Sequence, residues 1–177
     1  MNRRLSVCSL MVFLAVAAIV RAADGLRIIP LVHDDWVLVS VELTDAYNDN
    51  LRAAISSGLR TTITYEVELR TVVPVWVDRT IATAIVSITD QYDNLARRHS
   101  LSRTVDGRVA EALVTEDEAI VKHWLTTLNR LQLCPTSKLD VSRDYYVRIK
   151  ARTRPDATAL LGWAAAITGQ AKFTFIP

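Results

Sequence analysis

The sequence predicts an α+β fold: a mainly antiparallel, twisted β-sheet, sandwich-like or a half-barrel, with two amphipathic helices, after an N-terminal signal helix. Three observations predict this class. Several stretches alternate apolar and polar residues, an Asp-Gly pair separates two of them, and two other stretches space their apolar residues as helices do. Strands therefore make up most of the expected fold.

The N-terminal segment has the layout of a cleavable signal peptide over residues 1–22. Arg3 and Arg4 give a positive start, and residues 5–20 form an uncharged, almost wholly apolar run. That run is shorter than the roughly 20 residues that a membrane-spanning helix needs, so cleavage is favoured over an uncleaved anchor in the inner membrane. Cleavage is expected after Ala22, with Ala23 as the alternative.

The first strand and the first helix follow each other closely. Trp36–Leu43 is rich in β-branched residues, which is typical of a strand. A helix is expected over Ala46–Ser57, with Thr44 and Asp45 as candidate caps and Gly58 at its end, because apolar residues then share one helical face.

The strand signal is strongest over Leu59–Arg70, where apolar side chains or Thr alternate with polar ones. A period of two indicates a strand with one buried and one wet face. Val75–Ile88, rich in Val, Ile and Thr, is expected to continue the sheet, since Pro74 suits the start or the edge of a strand.

A hairpin is expected at Asp106-Gly107, since this pair favours the positive φ angles of a two-residue turn. The turn joins strands over residues 97–105 and 108–114. Counting outward from it places Arg103 opposite Ala110 and Leu101 opposite Ala112.

The second helix is expected to begin with a capping box over Thr115–Glu118, in which the Thr hydroxyl and the Glu carboxylate each satisfy a free backbone donor. An apolar stripe then runs as far as Leu131 and covers a sheet face. Three of its members, Trp124, Leu125 and Leu128, should be buried, whereas Lys122 and Arg130 should be exposed.

Two strands close the chain, Asp144–Arg154 and Lys172–Ile176, and Pro155–Gly169 between them fits either a short buried helix or an irregular segment. One face of the first of these strands carries the candidate interaction face: Tyr146, Arg148, Lys150, Arg152 and Arg154. Its four cations, here named the basic ladder, span about 20 Å at the usual strand rise. Two interpretations stay open: a solvated face paired with acids such as Glu66 and Glu68, or a docking face for an acidic partner.

Composition argues against nucleic acid as a partner. The whole chain has a net charge of +2, but loss of Arg3, Arg4 and Arg21 with the signal peptide leaves 18 basic residues against 19 acids. A near-neutral domain lacks the positive field that nucleic-acid binding needs. Residues 23–177 are the size of one domain, and the single cysteine left there, Cys134, cannot close an internal disulfide.

No catalytic, cofactor-binding or metal-binding site is predicted. His33 stands in a sequence typical of a turn, His99 belongs to the hairpin, and His123 lies on the wet flank of the second helix without a partner at zinc-site spacing. Cys134 has no activating base nearby in sequence and is expected to be a buried bystander. The glycines are isolated, so no nucleotide cofactor is expected.

Several segments together resemble a family of exported bacterial proteins, domain of unknown function 4390. They are Val41–Ala46 before a helix, Ser57–Leu59 running into Ile63–Leu69, the expected strand at Trp76, and Tyr92–Leu95. The resemblance covers most of the mature chain and is weakest over Leu161–Pro177. It implies a β-rich extracytoplasmic domain with no assigned activity, encoded in some bacteria beside an envelope sensor kinase. It carries over no active-site residue.

The predicted function is a non-catalytic periplasmic binding or protein-interaction module, associated with an envelope sensor system. The alternatives are a structural component of the envelope and a hydrolytic enzyme whose site the sequence does not reveal. Expected partners are an envelope protein or an anionic envelope component, and no membrane span is expected after signal cleavage.

Overall fold

The computed structural model describes residues 25–155 and 165–175. The predicted signal peptide and its helix lie outside the described residues, as do residues 156–164 of the segment for which two conformations were open. Residues 165–169 of that segment are strand, so the last strand begins earlier than expected. No helix in the described ranges has both the length and the apolar character needed to cross a bilayer.

The described chain forms nine strands and two α-helices, and every strand pairing is antiparallel. In chain order these are β1 (Leu26–His33), β2 (Trp36–Leu43), α1 (Asp49–Ser56), β3 (Thr61–Thr71), β4 (Arg79–Asp93), β5 (Arg98–Val105), β6 (Arg108–Thr115), α2 (Glu118–Thr126), β7 (Thr127–Pro135), β8 (Asp144–Pro155) and β9 (Ala165–Thr174). One sheet has the order β1-β2-β7 and the other β6-β5-β4-β3-β8-β9. The predicted α+β class is confirmed.

The two sheets share one apolar core. At Gly169 of β9 they come so close that an added Cβ would lie 2.9 Å from Leu26 Cδ2, which explains why this position has no side chain. The centre of the large sheet is β3, whose alternate residues from Thr61 to Thr71 are all buried, as its period of two predicted. Tyr65 of β3 donates a hydrogen bond to the carbonyl of Leu125 at 2.9 Å and so ties α2 to the sheet.

The Asp106-Gly107 hairpin is confirmed, with φ angles of 50° and 79° and Val105 paired with Arg108. The expected register further along is wrong by one residue, because Arg103 pairs with Glu111 and Leu101 with Leu113. A β-bulge at Ala110 inserts the extra residue. The shift brings the Arg103 guanidinium within 2.8 Å of the Glu111 carboxylate and 4.5 Å from the ring centre of Trp124.

Helix α1 begins three residues later than expected. Its cap is Asn48, whose Oδ1 accepts a hydrogen bond from the amide of Leu51 at 3.0 Å. Thr44, an expected cap, instead uses its amide to bond the carbonyl of Gly25 at 2.7 Å and so continues the β1–β2 pairing. The predicted end is confirmed, with Gly58 at a φ of 81°.

The expected capping box on α2 is wrong. Asp117 is the cap and accepts from the amide of Ala119 at 2.8 Å, whereas Thr115 accepts from the amide of Asp117. The carboxylate of Glu118 turns away from its own helix start. It bonds Arg52 Nε of α1 at 2.9 Å and the Tyr47 hydroxyl at 3.2 Å. Glu118 therefore joins the two helices.

Helix α2 ends at Thr126, and the rest of the expected helix is strand β7. Leu128, Leu131 and Cys134 are its buried residues, three positions apart. Leu131 pairs with Val39 of β2, and the register shifts by one residue on each side of this pair. Each shift places one extra residue in β7, which gives the spacing of three. Two bulges thus imitate the period of a helix. Burial of Leu125 and Leu128 and exposure of Lys122 and Arg130 are confirmed, and Trp124 is half-buried.

The strand expected over Val75–Ile88 begins only at Arg79 and continues to Asp93. Val73–Asp78 form a loop in which Val75 has a φ of 63°. Such an angle is incompatible with strand geometry, so the Val-rich composition misplaced the start of the strand.

Candidate functional site

The histidines and the cysteine do not converge. His33 opens the tight β1–β2 turn at Asp34-Asp35, as predicted, and His123 is exposed on α2. Cys134 is buried, as expected, and its burial raises the pKa of the thiol. Among residues 25–155 and 165–175, no three His, Cys, Asp or Glu side chains lie close enough together to hold a metal ion.

One buried pair of ionisable residues was not found by sequence reasoning. His99 Nδ1 lies 2.9 Å from Asp90 Oδ2, and the Tyr92 ring centre lies 4.6 Å from that of His99. Asp90 is fully buried, its Oδ1 has no partner within the described part of the chain, and burial raises its pKa against the opposing effect of the His99 hydrogen bond. The sequence did carry a signal for Asp90: Ile88 and Asp90 stand two residues apart in one strand and therefore share its inward face.

The structure places the candidate interaction face on β8, which pairs with β3 on one side and β9 on the other. On the opposite face of β8, four side chains point into the core: Tyr145, Val147, Ile149 and Ala151. Arg148, Lys150 and Arg152 point outward, whereas Arg154 is known here only by its backbone pairing with Thr62, since its side chain lies outside the described residues.

Two ladder cations are paired with the glutamates that the sequence suggested. Arg148 Nη2 lies 2.7 Å from Glu68 Oε2, and Arg152 Nη1 lies 3.0 Å from Glu66 Oε1. Both arginine side chains keep more than 40% of their surface in solvent, at 42% and 44%. Exposed pairs of this kind contribute little to stability, so these contacts leave the arginines free to exchange partners.

Lys150 differs from its neighbours on the ladder. It stands opposite Glu66 in the strand register, yet it makes no ion pair with any residue that the structure describes. It lines an open groove of about 390 Å³ together with four other side chains: Glu66, Glu68, Arg148 and Thr168.

Tyr146 faces outward but does not offer a free hydroxyl. It is buried, and its hydroxyl donates to Asp78 Oδ2 at 2.7 Å. That hydrogen bond holds the pKa of Asp78 below its usual range, whereas burial raises the pKa of Tyr146. Tyr146 therefore stabilises the β3–β4 loop through Asp78, and its hydroxyl is not free to bind a ligand.

The family described as Domain of unknown function (DUF4390) matches residues 27–161, which is more than half of the chain. The match stops where the resemblance in sequence weakens. No curated protein and no solved structure matches the chain.

Proposed function

The chain belongs to the DUF4390 family, and from that premise we propose that it is an exported, non-catalytic binding module whose basic ladder docks an acidic segment of an envelope protein. The environment of Lys150 is the main support for this proposal. An ammonium group with no ion pair among the described residues stands in an open groove beside two exposed arginines.

The charge of the groove supports an acidic ligand. Arg70, Arg148, Lys150 and Arg152 oppose only two acids, Glu66 and Glu68, so this part of the outer face carries a net charge of +2. A carboxylate brought by a partner can bond Lys150 directly, and further carboxylates can share the arginines with the two glutamates. Such charges favour rapid association and correct orientation more than high affinity.

Hydrolysis is the weaker alternative for this groove. Its two carboxylates lie two residues apart on one strand face, where they could form an acid–base pair, but each accepts a charge-assisted hydrogen bond from an arginine. An acid–base pair must direct its oxygens at a substrate, whereas these carboxylates direct theirs at arginines. Binding therefore fits the groove better than proton transfer does.

The experiment compares charge-reversal variants in a pull-down from the native envelope. Arg148→Glu/Arg152→Glu should abolish capture of the partner. The matched control, Arg108→Glu/Lys122→Glu, makes the same change of charge at exposed positions on β6 and α2 and should capture normally. An envelope sensor is the first partner to look for, because the family resemblance implies such a gene neighbour.

A second variant separates docking from folding. Reversing Arg148 and Arg152 sets new carboxylates beside Glu68 and Glu66, which destabilises the face. Lys150→Gln removes the ammonium charge without breaking a described ion pair and without setting a carboxylate opposite Glu66. Loss of capture in Lys150→Gln with unchanged thermal unfolding supports docking. Normal capture by Lys150→Gln and by the double variant would refute it, and capture of an anionic glycan or lipid in place of a protein would replace the proposed partner.

A further inference from the structure

The loop between β3 and β4 ends in an apolar tip, here defined as Val75, Trp76 and Val77. Their exposed fractions are 102%, 81% and 74% of the reference surface. Single exposed apolar residues are ordinary on protein surfaces, but three in a row at the end of a protruding loop are not.

The base of this loop is fixed by contacts from three directions. The Asp78 carboxylate accepts hydrogen bonds from the Tyr146 hydroxyl at 2.7 Å and from the Val73 amide at 3.3 Å. The Asp78 carbonyl accepts a hydrogen bond from Arg70 Nη2 at 2.8 Å. A loop held in this way presents its tip in a defined direction and loses little conformational entropy when the tip is buried.

Strain is a second, independent sign. Val75 has a φ of 63°, in a region that β-branched residues avoid because of its steric cost. No contact made by the Val75 side chain offsets that cost, because the side chain is fully exposed. The conformation therefore keeps an apolar side chain in water at the expense of stability, which is expected of a surface that is buried in a complex.

The surroundings of the tip indicate what buries it. Arg79 follows the loop, and Lys172 of β9 pairs in register with Tyr146 at the loop base. Both are exposed, and neither forms an ion pair in the described ranges. Two acids lie here as well: Asp78, whose carboxylate faces Tyr146 at the loop base, and Asp144 at the exposed start of β8. The tip is thus an apolar wedge flanked by two exposed cations, Arg79 and Lys172.

From this arrangement we propose that the tip inserts into the interfacial layer of an anionic phospholipid bilayer, with Arg79 and Lys172 against the lipid phosphates. Tryptophan favours that layer because its ring is apolar and its indole N–H stays near water. A convex tip needs no complementary pocket there. The groove of a second copy would not accept it, since that groove is lined by four charged side chains and a threonine. Apolar insertion and basic residues together supply the two signals that stable association with a membrane requires.

The chain offers a matched control for the test. Leu95 in the β4–β5 turn is 98% exposed and lies at the other end of β4. The probe is vesicles of phosphatidylglycerol and phosphatidylcholine, compared with vesicles of phosphatidylcholine alone. Trp76→Ser should lower partitioning into the mixed vesicles by about tenfold or more, the order expected for loss of one large buried apolar side chain. Leu95→Ser should leave it unchanged, and Arg79→Glu/Lys172→Glu should reduce it only where phosphatidylglycerol is present.

A local reporter separates insertion by the tip from binding by any other segment. An environment-sensitive fluorophore on Val77→Cys should brighten when the mixed vesicles are added, whereas the same fluorophore on Leu95→Cys should not. Equal partitioning of Trp76→Ser and wild type, no change at position 77, or crosslinking from the tip to a protein instead of lipid would each overturn the proposal. Failure here is distinguishable from failure of the ladder, since Lys150→Gln, which should lose capture of the partner, should bind the vesicles normally.

Discussion

The two ends of β4 are fixed by different means. Its start adjoins the apolar tip and is held by Asp78. The Asp78 carboxylate accepts a hydrogen bond from the Tyr146 hydroxyl of β8, and the Asp78 carbonyl accepts one from the Arg70 guanidinium of β3. Its end adjoins the turn at Leu95, where Asp93 Oδ1 accepts only from the local amides of Leu95 and Ala96, at 2.8 and 3.0 Å. Beneath this second loop lies the buried Asp90–His99 pair.

The difference separates ordinary turn chemistry from a surface prepared for contact. An aspartate that bonds amides two and three residues on is a common way to close a turn. Asp78 also accepts a local bond from the Val73 amide, but its bond from the Tyr146 hydroxyl spans 68 residues and joins the loop to β8. That bond has no such local purpose. Comparable exposure of Leu95 and Val75 therefore does not imply a comparable role.

The largest expected effect is at the buried end. Asp90→Ala leaves His99 Nδ1 without its partner in the core and should cost about 2–3 kcal/mol of unfolding free energy. Asp90→Asn keeps a hydrogen-bonding group of the same shape and should cost less. Urea denaturation of both variants measures the difference, and equal losses would show that the hydrogen bond contributes nothing.

The same pair predicts a dependence on pH. Burial raises the folded pKa of Asp90 above its unfolded value, which is about 3.9. Its contribution to stability is then fully present below that unfolded pKa and is lost as the pH rises through the folded pKa. Asp90→Asn cannot ionise, so its stability relative to wild type should improve between pH 4 and neutrality. A constant difference across that range would contradict the raised pKa.

Local sequence reasoning succeeded wherever one strand face was buried and the other wet. β2 was predicted with its bounds, and the alternation of β3 and β8 assigned the core residues and three of the ladder cations, Arg148, Lys150 and Arg152, to the correct faces. The glutamate partners of the ladder followed from the same parity. The register of the strands could not be predicted in this way, because the bulges at Ala110 and along β7 depend on pairing with another strand.

The apolar tip and the Asp90–His99 pair were missed for related reasons. Val75–Val77 have the composition of a strand, and only the positive φ of Val75 shows that the chain turns there. Asp90 and His99 come together through pairing of β4 with β5, which composition does not specify. Both features depend on where a strand begins or ends, which sequence patterns indicate least reliably.

A smaller effect is expected at the loop base. Tyr146→Phe removes one hydrogen bond to the Asp78 carboxylate and should cost about 1 kcal/mol. Because it frees the loop, it should also lower the partitioning of the protein into mixed vesicles, although Val75, Trp76 and Val77 are intact. Urea denaturation and vesicle sedimentation test the two effects. A variant that loses stability but binds vesicles as wild type would show that bracing of the loop does not matter for insertion.

The smallest effect, and the sharpest contrast between the two loops, is expected from glycine at their tips. Val75→Gly relieves a strain of order 1–3 kcal/mol but adds about 0.5–1 kcal/mol of backbone entropy to the unfolded chain, so it should be neutral or slightly stabilising. Leu95→Gly relieves no known strain, since Leu95 is not among the residues with positive φ, and should be neutral or slightly destabilising. The measurement is urea denaturation of the two variants side by side. If Val75→Gly proves the less stable of the two, the valine side chain makes stabilising contacts within the folded chain, and its strained angle can no longer be attributed to contact with a membrane.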